Sequence, residues 1–77
     1  MLTRVLARAL APDVRVCGIA PGPVAVDPGQ EERRAAETLL GRIGSPDDVA
    51  EAVLYLTRAT FLTGTSLVVD GGQMLKP

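Results

Sequence analysis

Arg15-Val16-Cys17-Gly18-Ile19-Ala20-Pro21-Gly22-Pro23 is the stretch whose reading decides the fold. From Arg15 to Ala20 it is a short, nearly continuous apolar run, the pattern of a strand covered on both faces in a parallel sheet, and Pro-Gly-Pro ends it in a loop. Downstream, Leu67-Val68-Val69 forms a second such run, stopped by Asp70-Gly71-Gly72, whose glycines permit positive φ. Between the two, Ser45-Pro46-Asp47-Asp48 opens a helix: Ser at the N-cap, Pro at the first helical position, and two acids where backbone N–H groups are unpaired. That helix is expected to run to about Arg58, with Val49, Val53 and Leu56 on its apolar face and Ala50, Ala52 and Leu54 beside them. Strand, helix and strand in this order imply parallel strands joined by a right-handed crossover.

Upstream of the first strand, Leu2, Val5, Leu6, Ala9 and Leu10 fall at i, i+3, i+4, i+7 and i+8. This predicts a helix with a buried stripe, Arg4 and Arg8 lying opposite. No capping residue precedes Leu2, so the apolar pattern begins abruptly, and Pro12 ends it by disfavouring the α conformation at Ala11. From Val24 to Gly29 the proline and glycine content predicts a loop. Gln30 to Leu40 reads as a short surface helix, with Glu31, Glu32 and Arg33 ahead of Ala35, Ala36, Leu39 and Leu40. A strand covered on both faces needs more neighbours than one other strand supplies. The expectation is therefore an α/β chain forming one partial domain, residues 1–77, of a doubly wound, Rossmann-type parallel sheet. No internal repeat or low-complexity tract offers another organisation.

Composition removes several function classes. The 77 residues are 47% hydrophobic, enough for a single thin core. Eight Lys plus Arg against nine Asp plus Glu give a formal charge of -1, with no basic footprint for nucleic acid or an anionic membrane. One cysteine, Cys17, and no histidine exclude a disulfide framework, Cys/His metal sites and His-dependent nucleophile triads, so no metal ligand set is expected. The longest uncharged stretch, Val16 to Val26, is short and broken by Gly and Pro, unlike a membrane span. Arg4 and Arg8 without a nearby acid faintly suggest a presequence, but the periodicity favours an ordinary amphipathic helix. An unpaired thiol suits a reducing compartment, and the expected location is the cytoplasm.

Three segments together carry a family likeness: LTRVLARALAPDVRVCGIAPGPV, LGRIGSPDDVAEAVLYL and FLTGTSLVVDGG. In this order and spacing they resemble the C-terminal third of a short-chain dehydrogenase/reductase, over Leu2 to Gly72. The pteridine-reductase-like branch is the nearest in feel. The resemblance implies an NAD(P)-dependent oxidoreductase, with the balance toward NADP(H), that reduces a carbonyl, oxidises an alcohol or reduces a pterin-like ring.

The same resemblance assigns the cofactor-binding positions to Pro21, Gly22, Val24 and Val26. The Pro-Gly loop would lie beneath the nicotinamide, where a small residue lets backbone approach a flat ring, and Val24 would offer main-chain contacts to the carboxamide. Val26 stands where many relatives carry a Thr or Ser hydroxyl, and valine cannot donate that hydrogen bond. Residues 25–41 correspond to the segment covering the substrate, with Leu39 and Leu40 either lining the pocket or anchoring the short helix. Arg42 is expected to bond main-chain carbonyls or an acid, and Arg33, Arg34 and Glu37 to be solvated.

No catalytic residue is expected within these positions. Tyr55 is followed four places on by Ala59, so it does not match the family's Tyr-x-x-x-Lys, and the only lysine is Lys76 in the tail. The resemblance puts that tyrosine and lysine upstream of Leu2, with the Gly-rich phosphate turn further upstream still. The chain alone is thus expected to be inactive, its partner being a small-molecule substrate in the full-length enzyme. The resemblance also implies a homo-oligomer through the Asp48–Thr57 helix and the Ser66–Val69 strand. The rival expectation is a non-catalytic βαβ piece acting in oligomerisation, and a third is a chain whose ordering cost, roughly 1–2 kcal/mol per residue, is not offset by burial.

Overall fold

A computed structural model describes all 77 residues. Helix α1 spans Leu2–Leu10, strand β1 Gly18–Pro21, helix α2 Glu31–Ala35, helix α3 Pro46–Arg58 and strand β2 Ser66–Val69, with a single 3-10 turn at Gln73–Leu75. β1 and β2 pair in parallel, Gly18 opposite Ser66 and Pro21 opposite Val69, and α3 packs on both. The chain belongs to the α/β class, with the parallel pairing that the strand–helix–strand order implies.

The ladder is shorter at its start than the apolar run. Val16 and Cys17 lie outside β1 because their partner is already turning: the Gly64 N–H donates to Val16 O at 2.8 Å, and Thr63 Oγ1 accepts from the Val16 N–H at 3.1 Å. Gly64 takes a φ of +74°, which ends the extended chain there. At the other end Pro21 is a strand residue, because Gly22 supplies the next N–H, donated to Val69 O at 3.0 Å.

α1 follows the expected bounds but not the expected burial. The stripe of Leu2, Val5, Leu6, Ala9 and Leu10 is exposed, Leu2 at 68%, and no element of this chain lies on it. The helix docks instead on its small-residue edge, Thr3 and Ala7. Ala7 is 5% exposed, close against Gly64, and Thr3 lies beside Gly18. Small side chains allow that approach, whereas the long apolar ones point away.

α2 is also shorter than the predicted Gln30–Leu40 helix, ending at Ala35. The cause is Thr38, whose hydroxyl bonds the Ala35 carbonyl at 3.0 Å and accepts the Gly41 N–H at 3.1 Å, offering the backbone an alternative to the next helical turn. Gly41, at φ +75°, completes the exit. Glu37 is not free in solvent as expected: it accepts from Gln73 Nε2 at 3.2 Å and lies 3.6 Å from Arg34 Nε.

α3 carries its N-terminal signal as the sequence predicts, with Ser45 at the cap and a reciprocal capping box to Asp48. Its buried residues are Ala52 and Leu56, while Val53, Leu54 and Tyr55 face outward. At its C-terminal end, Arg15 Nη1 donates to the carbonyls of Leu56, Ala59 and Leu62 at 3.0, 2.9 and 3.2 Å, and Nη2 to that of Thr57 at 3.2 Å. Leu56 and Thr57 carry carbonyls that the helix end leaves without intrahelical partners, Ala59 and Leu62 lie in the turn just beyond, and a cation there also complements the helix dipole. Cys17 is a half-buried free thiol whose Sγ lies 3.6 Å from Leu62 O.

Only Ala7, Pro23, Thr38, Ala52 and Leu56 are buried. The radius of gyration is 14.6 Å, against about 11–12 Å for a compact domain of this length. β1 and β2 each pair with one neighbour, so each keeps an unpaired edge. No helix is long and apolar enough to cross a membrane. The Arg15 contacts make a direct prediction: Arg15→Ala lowers stability by about 1 kcal/mol, and Arg15→Lys recovers only part of it because ammonium lacks the planar fork. Equilibrium urea unfolding of the three proteins checks this, and an Arg15→Ala midpoint equal to the parent's would show the guanidinium contributes nothing.

Candidate functional site

A cavity of about 480 Å3 opens at the carboxyl ends of the two parallel strands, the place where open α/β sheets bind ligands. Gly22, Pro23 and Val24 form one wall as the chain leaves β1, and Val69 to Gly72 form another as it leaves β2. Leu39 and Leu40 close a third side, and Gly44, Asp48 and Glu51, around the start of α3, complete the lining with Arg42 and Val68. Of the residues singled out in the sequence, Gly22, Val24, Leu39 and Leu40 are therefore brought together. Pro21 ends β1 outside the lining, and Val26 lies half-buried in the loop beyond it. Leu39 and Leu40 are exposed rather than anchored in a core.

Two close approaches fix these walls. A Cβ on Gly22 would stand 2.7 Å from Asp70 Cβ and 2.8 Å from its Cα, so the glycine is required by the end of β2, whatever else it faces. A Cβ on Gly44 would meet Val24 Cγ2 at 3.0 Å, and the Gly44 N–H donates to Pro23 O at 2.9 Å. Val24 and Gly44 form an isolated parallel bridge, which ties the Pro-Gly-Pro loop to the entry of α3. Ala25 follows at φ +53°, a left-handed conformation uncommon for a residue with a side chain.

The Asp70-Gly71-Gly72 turn is tied just as closely. Asp70 Oδ1 accepts the Gly72 N–H at 2.8 Å and Oδ2 the Met74 N–H at 3.0 Å. Gly71 and Gly72 take φ of +61° and +86°, and a Cβ on Gly72 would come within 2.9 Å of the Leu39 side chain. Sequence reading marked this turn as a strand stop but not as a cavity wall. The available signal was the pair of glycines after a short acceptor side chain, which demands a local hydrogen-bonded turn.

At the α3 side of the cavity, Arg42 Nη1 donates to Asp48 Oδ2 at 3.0 Å and to Ile43 O at 3.1 Å. This is the acid-and-carbonyl role expected for Arg42. The Asp48 carboxylate also accepts the Ser45 N–H at 2.8 Å. The Arg42 hydrogen bond first, and then that backbone N–H, hold the Asp48 carboxyl at about 2, and Asp48 in turn raises the pKa of Arg42. Arg42 is therefore engaged within the chain. Tyr55, on α3, is exposed and does not line the cavity. No cluster of acidic, His or Cys side chains has the arrangement of a metal site.

Comparison with known proteins agrees with this architecture. A family model described as enoyl-(acyl carrier protein) reductase matches residues 1–74. The short-chain dehydrogenase/reductase homolog YusR of Bacillus subtilis is 44% identical over 96% of this chain and 61% of its own length. Carbonyl reductase family member 4 of Danio rerio is 43% identical over 95% of the chain and 32% of that protein. Among solved structures, a small-chain dehydrogenase in complex with NADPH superposes with a TM-score of 0.86 at 32% identity, over 96% of this chain and 38% of that one. FolM alternative dihydrofolate reductase 1 from Brucella canis, complexed with NADP, gives 0.86 at 39% identity, over 97% of this chain and 30% of that one.

The fold is that of an α/β class of protein with a parallel sheet, and the chain belongs to the short-chain dehydrogenase/reductase family. It spans 61% of the length of YusR and 32% of that of the Danio rerio relative.

Protonation of Asp48 provides a test of the site's electrostatics. Its folded pKa of about 2 lies below the ordinary 3.8, so the carboxylate's contribution to stability is complete above the unfolded value and is lost as pH falls through the folded one. Asp48→Asn is expected to melt lower than the parent at about pH 6, with the gap closing between about pH 4 and pH 2. A gap that persists unchanged at about pH 2 would place its origin elsewhere.

Proposed function

We propose that this chain forms the nicotinamide floor and substrate-covering wall of an NAD(P)-dependent short-chain oxidoreductase acting between a carbonyl and an alcohol, with NADP(H) the preferred form. One observation carries the proposal: Gly22 and Val24, which leave β1, and Leu39 and Leu40, from the covering segment, meet around one cavity at the strands' carboxyl ends. Its volume falls within the range of small-molecule sites, about 300–1,000 Å3. The glycine and aliphatic lining suits a flat, partly apolar ring. Complexes of structural neighbours with NADPH and NADP support the cofactor assignment.

In this reading Gly22 forms the surface beneath the ring, with Pro21 behind it at the end of β1, and the Val24 main chain holds the carboxamide. Val26 lies beside them without a hydroxyl to offer. When bound, the nicotinamide supplies or accepts the hydride exchanged with the substrate carbon. Leu39 and Leu40 exclude water from that side, within the covering segment 25–41, and the Arg42–Asp48 pair keeps the start of α3 in place. Tyr55 does not serve as the proton donor in this reading, because it faces solvent and Ala59 stands where its lysine partner would be. A pterin-like ring is a second substrate class within the same chemistry, and the likeness to FolM supports it.

A longer protein carrying this chain as its C-terminal part, and the 77-residue chain alone, separate the two halves of this proposal. The longer protein is expected to melt higher with NADPH, by mass action on the folded state, while the 77-residue chain shows no NADPH-dependent shift. Circular dichroism during heating reads both. A shift in the 77-residue chain would overturn the incompleteness of its site, and no shift in the longer protein would overturn the cofactor assignment.

Self-association is the second reading that an observation favours. Val53, Leu54 and Tyr55 on α3 and Val68 on β2 are exposed at 46, 52, 57 and 46%, and β2 keeps one edge unpaired. We propose that Asp48–Thr57 and Ser66–Val69 meet the same surface of a second copy, in a homo-oligomeric enzyme or, in the rival reading, a non-catalytic pairing piece. Leu54→Lys is expected to shift sedimentation equilibrium toward the monomer. An unchanged mass would remove this surface from the interface.

A further inference from the structure

Thr38 is the most deeply buried polar residue of the chain, 3% exposed, although it sits in a surface segment and does not line the cavity. Its hydroxyl accepts the Gly41 N–H at 3.1 Å and stands 3.0 Å from both the Ala35 and the Arg42 carbonyls, one of which takes its single proton at a time. The side chain thus closes the loop from 35 to 42 upon itself. Its methyl face rests on the C-terminal turn, where a Cβ on Gly71 would stand 3.2 Å from Thr38 Cβ. Beside that contact the Leu40 N–H donates to Gly71 O at 3.1 Å, and Gln73 Nε2 donates to Glu37 at 3.2 Å. Leu39 and Leu40, next in sequence, are exposed wall residues with no core of their own to hold them.

We infer that Thr38, seated on Gly71, is a positioning residue that sets Leu39 and Leu40 against the cavity and thereby fixes the substrate side of the site. A buried hydroxyl with two main-chain partners is costly to orphan, so it selects one conformation of the 35–42 loop. The glycine at 71 matters for the same reason: a side chain there would be strained at φ +61° and would press on Thr38, which would have to give way by a few tenths of an ångström. The kinetic consequence rests on the oxidoreductase reading above. The conformational consequence does not.

The test uses the 77-residue chain for exchange and the longer protein of the preceding proposal for kinetics, each with Thr38→Val, which keeps the shape and removes the hydroxyl, and Thr38→Ser, which restores it. Amide hydrogen exchange is expected to speed up about tenfold at Gly41 and Leu40 in Thr38→Val, with Ala59, whose N–H donates to Tyr55 O in α3, unchanged. Thr38→Ser recovers the protection at Gly41. With NADPH and ethyl acetoacetate as the probe carbonyl, KM rises at least about fivefold in Thr38→Val while kcat stays within about twofold.

Equal exchange in parent and Thr38→Val would overturn the inference. So would acceleration spreading equally to Ala59, which marks general destabilisation. A kcat loss equal to the KM change would also overturn the positioning role. A longer parent protein that fails to bind NADPH counts against the oxidoreductase reading alone, and the exchange at Gly41 and Leu40 then decides the joint.

Discussion

Four residues of β1 run beside four of β2, with Pro21 opposite Val69, and both chains turn away at the same level of the sheet. Everything around the cavity depends on that register. The Gly22 N–H reaches Val69 O because the strands end together, and the same alignment brings Gly22 against the backbone of Asp70. A slip of one residue would turn the slipped strand's side chains to the opposite face and separate these loops. Arg15 holds the far end of the crossover, bonding the carbonyls where α3 stops, so helix and ladder are fixed at both ends.

The cavity is held mainly by backbone and glycine, and three of its four charged side chains are engaged within the chain, Glu51 alone having no such bond. Arg42 and Asp48 engage each other and nearby main chain, and Asp70 spends its oxygens on the turn that follows it. Such a site presents mostly shape and main-chain polarity, with the Glu51 carboxylate at its α3 side.

Much of this was legible in the sequence. The α3 start followed from Ser45, Pro46 and Asp48 because capping chemistry is local, and the parallel pairing followed from the order of the elements. Gly22, Val24, Leu39 and Leu40 converge on one cavity, whereas Pro21 and Val26 stand off it. What was not legible depends on distant partners. The α1 stripe looked buried because periodicity reports a face but not what covers it, and here the small edge at Thr3 and Ala7 makes the contact. The helix predicted to reach Leu40 stops at Ala35 because Thr38 bonds backward and forward around Gly41. Arg15 read as part of a strand, and only the folded chain shows it bridging to carbonyls more than forty residues away.

The approach of Gly22 to Asp70 bears on how such a chain can diverge. With the Cβ direction of position 22 already filled by the neighbouring backbone, any larger residue there must be accommodated by a displaced strand end. That end carries the turn against Thr38 and Leu39, so the accommodation would propagate into the opposite wall of the cavity. Variation at this spot is therefore not a single substitution but a concerted one. The exposed residues of the 25–41 segment face no such obstruction, and novelty in what the cavity accepts can accumulate there one change at a time.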